Sequence, residues 1–334
     1  MDKKDGVAIA YPHIGVIGAG AWGTALAFVA AQAGRAVTLW ARETEVVAAI
    51  REKRENTLFL SGVALPADIS ATGELAEAAA ADALLVVVPA QHLRETLEQL
   101  CGQTQAGIPF VLCAKGIERQ SGKLLTELLA ECAPDAEPAI LSGPSFARDV
   151  ALGLPTAVTI AARAGIAQRL QATLGHAQFR PYASEDLPGV ALGGAAKNVY
   201  AIACGMVAGL GLGESARAAL LARGFAELRR LGRGLGARDE TLMGLSGLGD
   251  LVLTATSPTS RNFSLGLSLG RGGPLAATGR PLAEGVETAP ALVARAKFEG
   301  IELPVAEAVA DILAGRLALG DALPRLMARP FKTE

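Results

Sequence analysis

Residues His13 to Ala27 read H-I-G-V-I-G-A-G-A-W-G-T-A-L-A. A β-rich run leads into a G-x-G-x-x-G cluster at Gly18, Gly20 and Gly23, and alanine-rich helical sequence follows it. Each glycine has its own physical task. Gly18 permits a tight turn, Gly20 lets the backbone approach a pyrophosphate, and Gly23 lets a helix pack closely on the strand. The amide-bearing N-terminus of that helix then faces the anion. The glycine pattern alone is a weak signal, and a turn that merely packs well is its alternative. Its position between strand and helix, at the head of a repeated β/α pattern, is what predicts a dinucleotide-binding turn.

Strand candidates fall at His13–Gly18, Ala36–Trp40, Ala83–Val88, Pro109–Cys113, Pro138–Leu141 and Ala157–Ile160, with helical patterns between most of them. Continuous apolar strands alternating with helices predict a parallel sheet covered on both faces. The pattern changes near Ser184, which can cap a helix over about 187–207, and from there the sequence reads as helix after helix. Breaks fall at Gly209–Gly213, Gly232–Gly236, Ser257–Pro258 and Gly272–Pro274. The expected fold class is therefore α/β: an N-terminal Rossmann-type, doubly wound, mostly parallel sheet over residues 1–185, then an all-α C-terminal domain over 186–334.

Composition narrows the function. The 334 residues include 31 Lys plus Arg against 33 Asp plus Glu, a net charge of −2, so no global field attracts nucleic acid or an anionic membrane. An anionic ligand must be held by local cations. The longest apolar runs, such as Ala83–Val88, are too short to span a bilayer, and the N-terminus does not resemble a signal peptide. The expectation is a cytoplasmic protein with neither nucleic-acid partner nor stable membrane insertion. Cys101, Cys113, Cys132 and Cys204 lack metal-ligand spacing; three lie in apolar contexts and read as buried free thiols. No metal is expected. Only His13, His92 and His176 are available for histidine-based catalysis.

The second strand ends at Ala41-Arg42-Glu43. An acid at this point suits the ribose hydroxyls of NAD, whereas an arginine suits the 2′-phosphate of NADP. Arg42 therefore leans toward NADPH over NADH, with Glu43 as a competitor and a solvated strand-end arginine as the other reading.

The fingerprint G-A-G-A-W-G-T-A-L-A resembles that of bacterial NAD(P)-dependent glycerol-3-phosphate dehydrogenases. Further segments match in the same order: Val86–Pro89, Ala114–Glu118, Leu141–Ala147, Leu192–Val199, Gly247–Thr254 and Ser260–Asn262. The match covers essentially the whole chain after the first dozen residues, and the ordered set is far more specific than any one motif. One departure is Leu282-Ala283-Glu284-Gly285, where the family usually has Val-Val-Glu-Gly. The resemblance implies an oxidoreductase, a homodimer, that reduces dihydroxyacetone phosphate to sn-glycerol 3-phosphate for glycerophospholipid synthesis.

Reducing a ketone needs a hydride donor, a proton donor and a grip on the substrate. Lys197, on a helix beside Gly193, Gly194 and Ala201, is the candidate acid/base; a lysine snorkelling from an alanine-rich helix is the alternative. Small neighbours would let cofactor and substrate approach it, and burial would lower its pKa. Lys115 follows a buried strand at its C-terminal end, where ligands bind in open α/β sheets, although an exposed loop lysine reads the same way. Asp250 suits either a helix N-cap or, by resemblance, a place beside Lys197, with Asn198 and Thr254 in support. Ser260-Arg261-Asn262 suits a helix start that binds the substrate phosphate. By resemblance Gly143 and Ser145 complete the substrate site. Ala21, Trp22, Arg42, Lys115, Ala147, Arg261, Leu282 and Glu284 are the cofactor contacts that the resemblance adds to the three glycines. Two other readings compete: another β-hydroxyacid dehydrogenase acting on a carboxylate substrate, and a non-catalytic dinucleotide sensor that would not need Lys115, Lys197 and Asp250 together.

Overall fold

The computed structural model describes residues 8–275 and 283–322; the expected contact at Leu282 lies outside them. Eight strands form one sheet: β1 (His13–Ile17), β2 (Ala36–Trp40), β3 (Ile69–Thr72), β4 (Ala83–Val86), β5 (Pro109–Leu112), β6 (Glu137–Ser142), β7 (Thr156–Ala162) and β8 (Phe179–Ser184). Their spatial order is β3-β2-β1-β4-β5-β6-β7-β8. Every neighbouring pair is parallel except β6 with β7. The helices of this part are α1 (Ala21–Gln32), α2 (Thr44–Lys53), α3 (Leu75–Ala79), α4 (Leu93–Leu100), α5 (Leu125–Cys132), α6 (Ala147–Ala151) and α7 (Ala164–Leu174). Chain order reverses at β1 and β4, the switch point at which a doubly wound sheet opens a ligand crevice. The fingerprint turn sits directly after β1.

The central strands β4 and β5 are buried at all four of their positions, which is why their sequences are continuous apolar runs. The two strands that the sequence reading missed, β3 and β8, are the two edges of the sheet. An edge strand needs only one apolar face, so its hydrophobic signal is weak. Pro181 within β8 is tolerated because an edge position carries no obligatory second ladder bond.

The second half begins with α8 (Leu187–Gly209) and continues as α9 (Gly213–Gly234), α10 (Asp239–Met243), α11 (Asp250–Thr256), α12 (Arg261–Gly270), α13 (Gly285–Phe298) and α14 (Pro304–Leu313). No strand occurs among the described residues after Ser184. Asp186, not Ser184, caps α8: its Oδ1 accepts from the Gly189 amide at 2.9 Å, while the Ser184 hydroxyl accepts from the Asp186 amide at 3.1 Å. Ser184 thus shapes the turn that precedes the cap. α8 is long and apolar enough to cross a membrane, but 94% of its most apolar window is buried in the protein, the pattern of a core helix.

Two compact units result. One comprises residues up to Ala114 with Leu125–Val190; the other comprises Lys115–Leu124 with Ala191 onward. The excursion Lys115–Leu124 thus belongs with the helical unit although it follows β5, a detail that a single boundary at 185 does not capture. In the helical unit α8 and α12 approach backbone to backbone. A Cβ on Gly205 would lie 2.1 Å from the Phe263 carbonyl oxygen, and one on Gly266 would lie 2.0 Å from that of Ile202. Nearby, buried Glu227 accepts from the Val305 and Ala306 amides at 2.7 and 3.2 Å and so caps α14 from another helix. Burial pushes its pKa up to about 7, with those two amides opposing the rise. All four cysteines are free thiols; Cys113 and Cys204 are buried, Cys132 is half-buried and Cys101 is exposed. Only two of the three expected buried thiols are therefore fully covered.

Candidate active site

Two of the fingerprint glycines do locally what the sequence predicts, and the space beside the third is open. Gly18 has φ 111°, a left-handed conformation that favours glycine. A Cβ on Gly23 would lie 1.8 Å from the Gly18 carbonyl oxygen, so the helix α1 can pack there only as glycine. A Cβ on Gly20 would meet no heavy atom within 4 Å, so the space beside it is open. Ala21 and Trp22 begin α1, and Trp22 packs against the core with its Nε1 buried and without a partner. Arg42 lies at the end of β2 with its side chain 76% exposed, paired with Glu43 at 3.1 Å. Arg42 thus stands in solvent and Glu43 is half-buried, at the strand end beside which a ribose lies in this fold. Gly143 follows β6, and its carbonyl oxygen accepts from the Ser145 hydroxyl at 3.0 Å just before Ala147 opens α6.

The helical unit holds a buried ion cluster. Lys197 projects from the middle of α8 and donates to Asp250 Oδ1 at 2.5 Å and to Thr254 Oγ1 at 2.9 Å. Lys115 donates to the other oxygen of Asp250, Oδ2, at 2.7 Å. Asp250 is therefore a bridge between two ammonium groups. It is the first residue of α11 and its side chain makes no cap bond there, which removes the N-cap alternative. What brings it to Lys197 is partly Gly193: a Cβ there would lie 2.6 Å from the Ser246 carbonyl oxygen, in the single π-helical turn Leu245–Gly249 that precedes Asp250. The small residue beside Lys197 is thus filled by the chain itself and does not leave room for ligand.

The electrostatics are decided by burial. Lys197 is 6% exposed and Asp250 1%. Desolvation drives the Lys197 pKa down to about 7; Asp250 opposes this and Lys115 adds to it. A lysine in that range exchanges protons at neutral pH, which an ordinary surface lysine does not. Glu284, partly buried at the start of α13, is pushed above the usual carboxylate range by burial, against the pull of Arg261, Lys115 and Lys197. Three cations thus converge where the chain as a whole is slightly acidic.

Amide side chains tie this cluster to the neighbouring helices. Asn198 donates to the Lys115 carbonyl oxygen at 3.4 Å, and its own oxygen accepts from Asn262 Nδ2 at 2.9 Å. Asn262 Oδ1 in turn accepts from the Gly285 amide at 2.9 Å. Ser260 is the N-cap of α12, accepting from the Phe263 amide at 3.2 Å, and its hydroxyl proton stays available for donation. Arg261, the first residue of α12, is exposed. The structure therefore joins Lys115, Lys197, Asn198, Asp250, Thr254 and Asn262 in one bonded network, with Ser260 and Arg261 at the adjoining helix start. Sequence reading did not single out Asn56, which is wholly buried and donates to the Ala19 carbonyl oxygen and to Thr24 Oγ1, both at 2.8 Å. Its sole sequence signal is an asparagine in a loop, and that carries no information about its partners.

Comparison with known proteins identifies the family. Residues 13–166 match the family described as NAD-dependent glycerol-3-phosphate dehydrogenase N-terminus, and residues 186–324 match the corresponding C-terminus. The chain is 58% identical over 332 residues to a glycerol-3-phosphate dehydrogenase [NAD(P)+] of Parvibaculum lavamentivorans, covering 98% of this chain and 100% of that protein. It is 59% identical over 325 residues to the protein of the same name from Bradyrhizobium sp. (strain ORS 278), covering 97% and 98%. A crystal structure of glycerol-3-phosphate dehydrogenase from Coxiella burnetii superposes with a TM-score of 0.91 at 36% identity, covering 96% of this chain and 99% of that one. The chain belongs to the NAD-dependent glycerol-3-phosphate dehydrogenase family.

Proposed function

We infer that this chain catalyses the NAD(P)-dependent interconversion of dihydroxyacetone phosphate and sn-glycerol 3-phosphate, run toward glycerol 3-phosphate for glycerophospholipid synthesis. The observation that carries the reading is the buried bridge of Asp250 between Lys197 and Lys115. A dinucleotide sensor has no use for two desolvated ammonium groups held by one carboxylate, because such a cluster is costly to bury. The residues fit a nicotinamide dinucleotide: the space at Gly20 is open, Gly18 makes the turn, and the N-terminus of α1 follows.

When bound, the nicotinamide supplies or accepts the hydride at the substrate's central carbon. In the reducing direction the Lys197 ammonium gives a proton to the carbonyl oxygen as negative charge grows there, and in the oxidising direction the neutral amine takes the hydroxyl proton. The Lys115 ammonium stabilises the same oxygen. Asp250 holds both nitrogens in place, Thr254 fixes the direction of Lys197 Nζ, and Asn198 fixes the backbone that carries Lys115. Ser260, Arg261 and Asn262, with Gly143 and Ser145, hold the phosphorylated substrate. Gly18, Gly20, Ala21, Trp22, Gly23, Arg42, Lys115, Ala147, Arg261, Leu282 and Glu284 hold the cofactor. We assign residues 1–185 chiefly to cofactor binding and 186–334 to catalysis. The enzyme is placed in the cytoplasm, as a homodimer without nucleic-acid or membrane partners; the net charge of −2 supports the absence of a nucleic-acid partner.

The reading is tested by following NADPH absorbance with purified protein and dihydroxyacetone phosphate, alongside 3-hydroxyisobutyrate and 6-phosphogluconate with NADP. Turnover confined to the triose phosphate supports it, and turnover of a carboxylate substrate in its place refutes it. Arg42 gives a separate expectation. If it pairs with the 2′-phosphate, Arg42→Ala weakens NADPH by about 1.5–3 kcal/mol, the value of a hydrogen bond to a charged group, and leaves NADH nearly unchanged. Equal effects in titrations with the two cofactors would remove Arg42 from cofactor selection.

Asp250→Asn has a predictable sign. Asp250 is the main influence opposing the desolvation of Lys197. Its loss drives the Lys197 pKa further below about 7, so the ammonium needed for reduction is scarcer at neutral pH. The reduction rate at pH 7.5 is expected to fall roughly 10²-fold or more. Its falling limb in a kcat–pH profile moves to lower pH, and an unmoved limb would show that Asp250 does not set the state of Lys197.

A further inference from the structure

The peptide that joins Ala19 to Gly20 lies at the centre of the fingerprint turn, and its orientation decides whether the turn presents a donor or an acceptor. In a trans peptide the carbonyl and the N–H point in opposite directions. The Ala19 carbonyl oxygen is turned into the protein, where it accepts a hydrogen bond at 2.8 Å from Asn56 Nδ2, a residue 37 positions further along the chain. The Gly20 N–H of the same peptide must then point the other way, away from Asn56. We propose that Asn56 is a positioning residue of the cofactor site, pinning the Ala19 carbonyl inward so that the Gly20 amide is pre-oriented toward the cofactor's pyrophosphate. The proposal rests on the reading of this turn as the pyrophosphate site.

Asn56 is suited to the task because its whole side chain is committed. Its second Nδ2 proton goes to Thr24 Oγ1 at 2.8 Å, on the first turns of α1. Its Oδ1 accepts from the Phe59 amide at 3.1 Å, and its backbone oxygen accepts from the Leu60 amide at 2.9 Å. The Thr24 hydroxyl in turn reaches the Ala19 carbonyl oxygen at 3.4 Å, closing a triangle of Ala19, Thr24 and Asn56. Both Asn56 and Thr24 are fully buried, so water cannot substitute for a lost partner without entering the core. The loop is itself anchored: Arg54, in the left-handed region at φ 54°, donates to the Ile69 carbonyl oxygen at 2.9 Å. An asparagine is required because a buried amide can donate twice and accept once from a fixed plane. Aspartate lacks the donors, and alanine leaves the Ala19 oxygen buried and without its main partner.

The test uses the full-length enzyme, with NADPH titrated by its fluorescence and steady-state rates measured with dihydroxyacetone phosphate. Asn56→Ala is expected to raise the NADPH dissociation constant roughly 10-fold or more. At saturating NADPH, kcat and the KM for dihydroxyacetone phosphate should stay within about twofold, as expected when ground-state binding alone is lost. Thr24→Val, nearly isosteric, removes one side of the triangle and should weaken NADPH by a smaller factor; it decides the matter if Asn56→Ala does not fold. NADPH affinity within about twofold of the unmodified enzyme in these variants would overturn the proposal. So would an equal fall in kcat and NADPH affinity, which marks a general structural role. If the unmodified enzyme failed to bind NADPH, the reading of the turn would fail and the proposal with it; binding that the variants leave intact would sink the proposal alone.

Discussion

Lys197→Met is expected to reduce dihydroxyacetone phosphate roughly 10²–10⁴-fold more slowly than the unmodified enzyme, the usual contribution of a positioned proton-transfer group. NADPH affinity should persist, because the fingerprint turn belongs to the other compact unit. The substitution removes the charge but keeps most of the stem, and Asp250 retains Lys115 as a partner at 2.7 Å, so the fold is not left with an unpaired buried carboxylate. The unmodified enzyme carries the matching pH signature. Lys197 titrates at about 7, and the reducing direction needs its protonated form. The kcat of reduction should therefore hold below that value and decline as pH rises through it, whereas the kcat of glycerol 3-phosphate oxidation should rise over the same interval. Single-turnover rates with saturating NADPH separate this chemistry from product release. A folded Lys197→Met enzyme with near-normal turnover would remove the residue from the mechanism.

A second large effect is expected from removing the phosphate from the substrate. The protein's net charge is −2, so no long-range field gathers a dianion, and attraction must come from groups at the site. On the proposed reading Lys115, Lys197 and Arg261 provide it; all three pull on the Glu284 carboxyl. Arg261 stands at the start of α12 beside the Ser260 cap, where helix amides and a planar guanidinium can share the phosphate oxygens. Two charge-assisted hydrogen bonds at about 1.5 kcal/mol or more each correspond to roughly 10²-fold or more in efficiency. Because a remote anchor also orients the reacting carbonyl, part of the loss should appear in kcat and not in KM alone.

How much of this was legible in the sequence depended on whether the signal was local. The fingerprint was, because its geometry is set by a few bonds of backbone: the Gly18 turn and the close packing at Gly23 are both present, and the space at Gly20 is open. Strands β4 and β5 were, since burial on both faces writes a continuous apolar run. The edge strands β3 and β8 were not, since one buried face over a few residues leaves little pattern and Pro181 argues against a strand. Ser184 gave way to Asp186 as the cap of α8, a choice between polar neighbours that only the loop geometry settles. The partners of Lys197 were open to resemblance, but their energetics were not: whether Asp250 or desolvation wins depends on an exposure of only 6% that no motif encodes. Asn56 was invisible for the same reason, since its three side-chain bonds exist only once a loop 32 to 37 residues downstream folds back on the turn.

The most direct measurement compares kcat/KM for dihydroxyacetone phosphate and for dihydroxyacetone at saturating NADPH, in the unmodified enzyme and in Arg261→Lys, with NADPH affinity measured separately for each protein. The phosphorylated substrate is expected to be preferred by roughly 10²–10⁴-fold. Arg261→Lys is expected to narrow this ratio although the charge is kept, because a lysine point charge cannot reproduce the planar fork of the guanidinium. Similar efficiency toward the two substrates in the unmodified enzyme would contradict the phosphate site, and with it the assignment of dihydroxyacetone phosphate as the substrate.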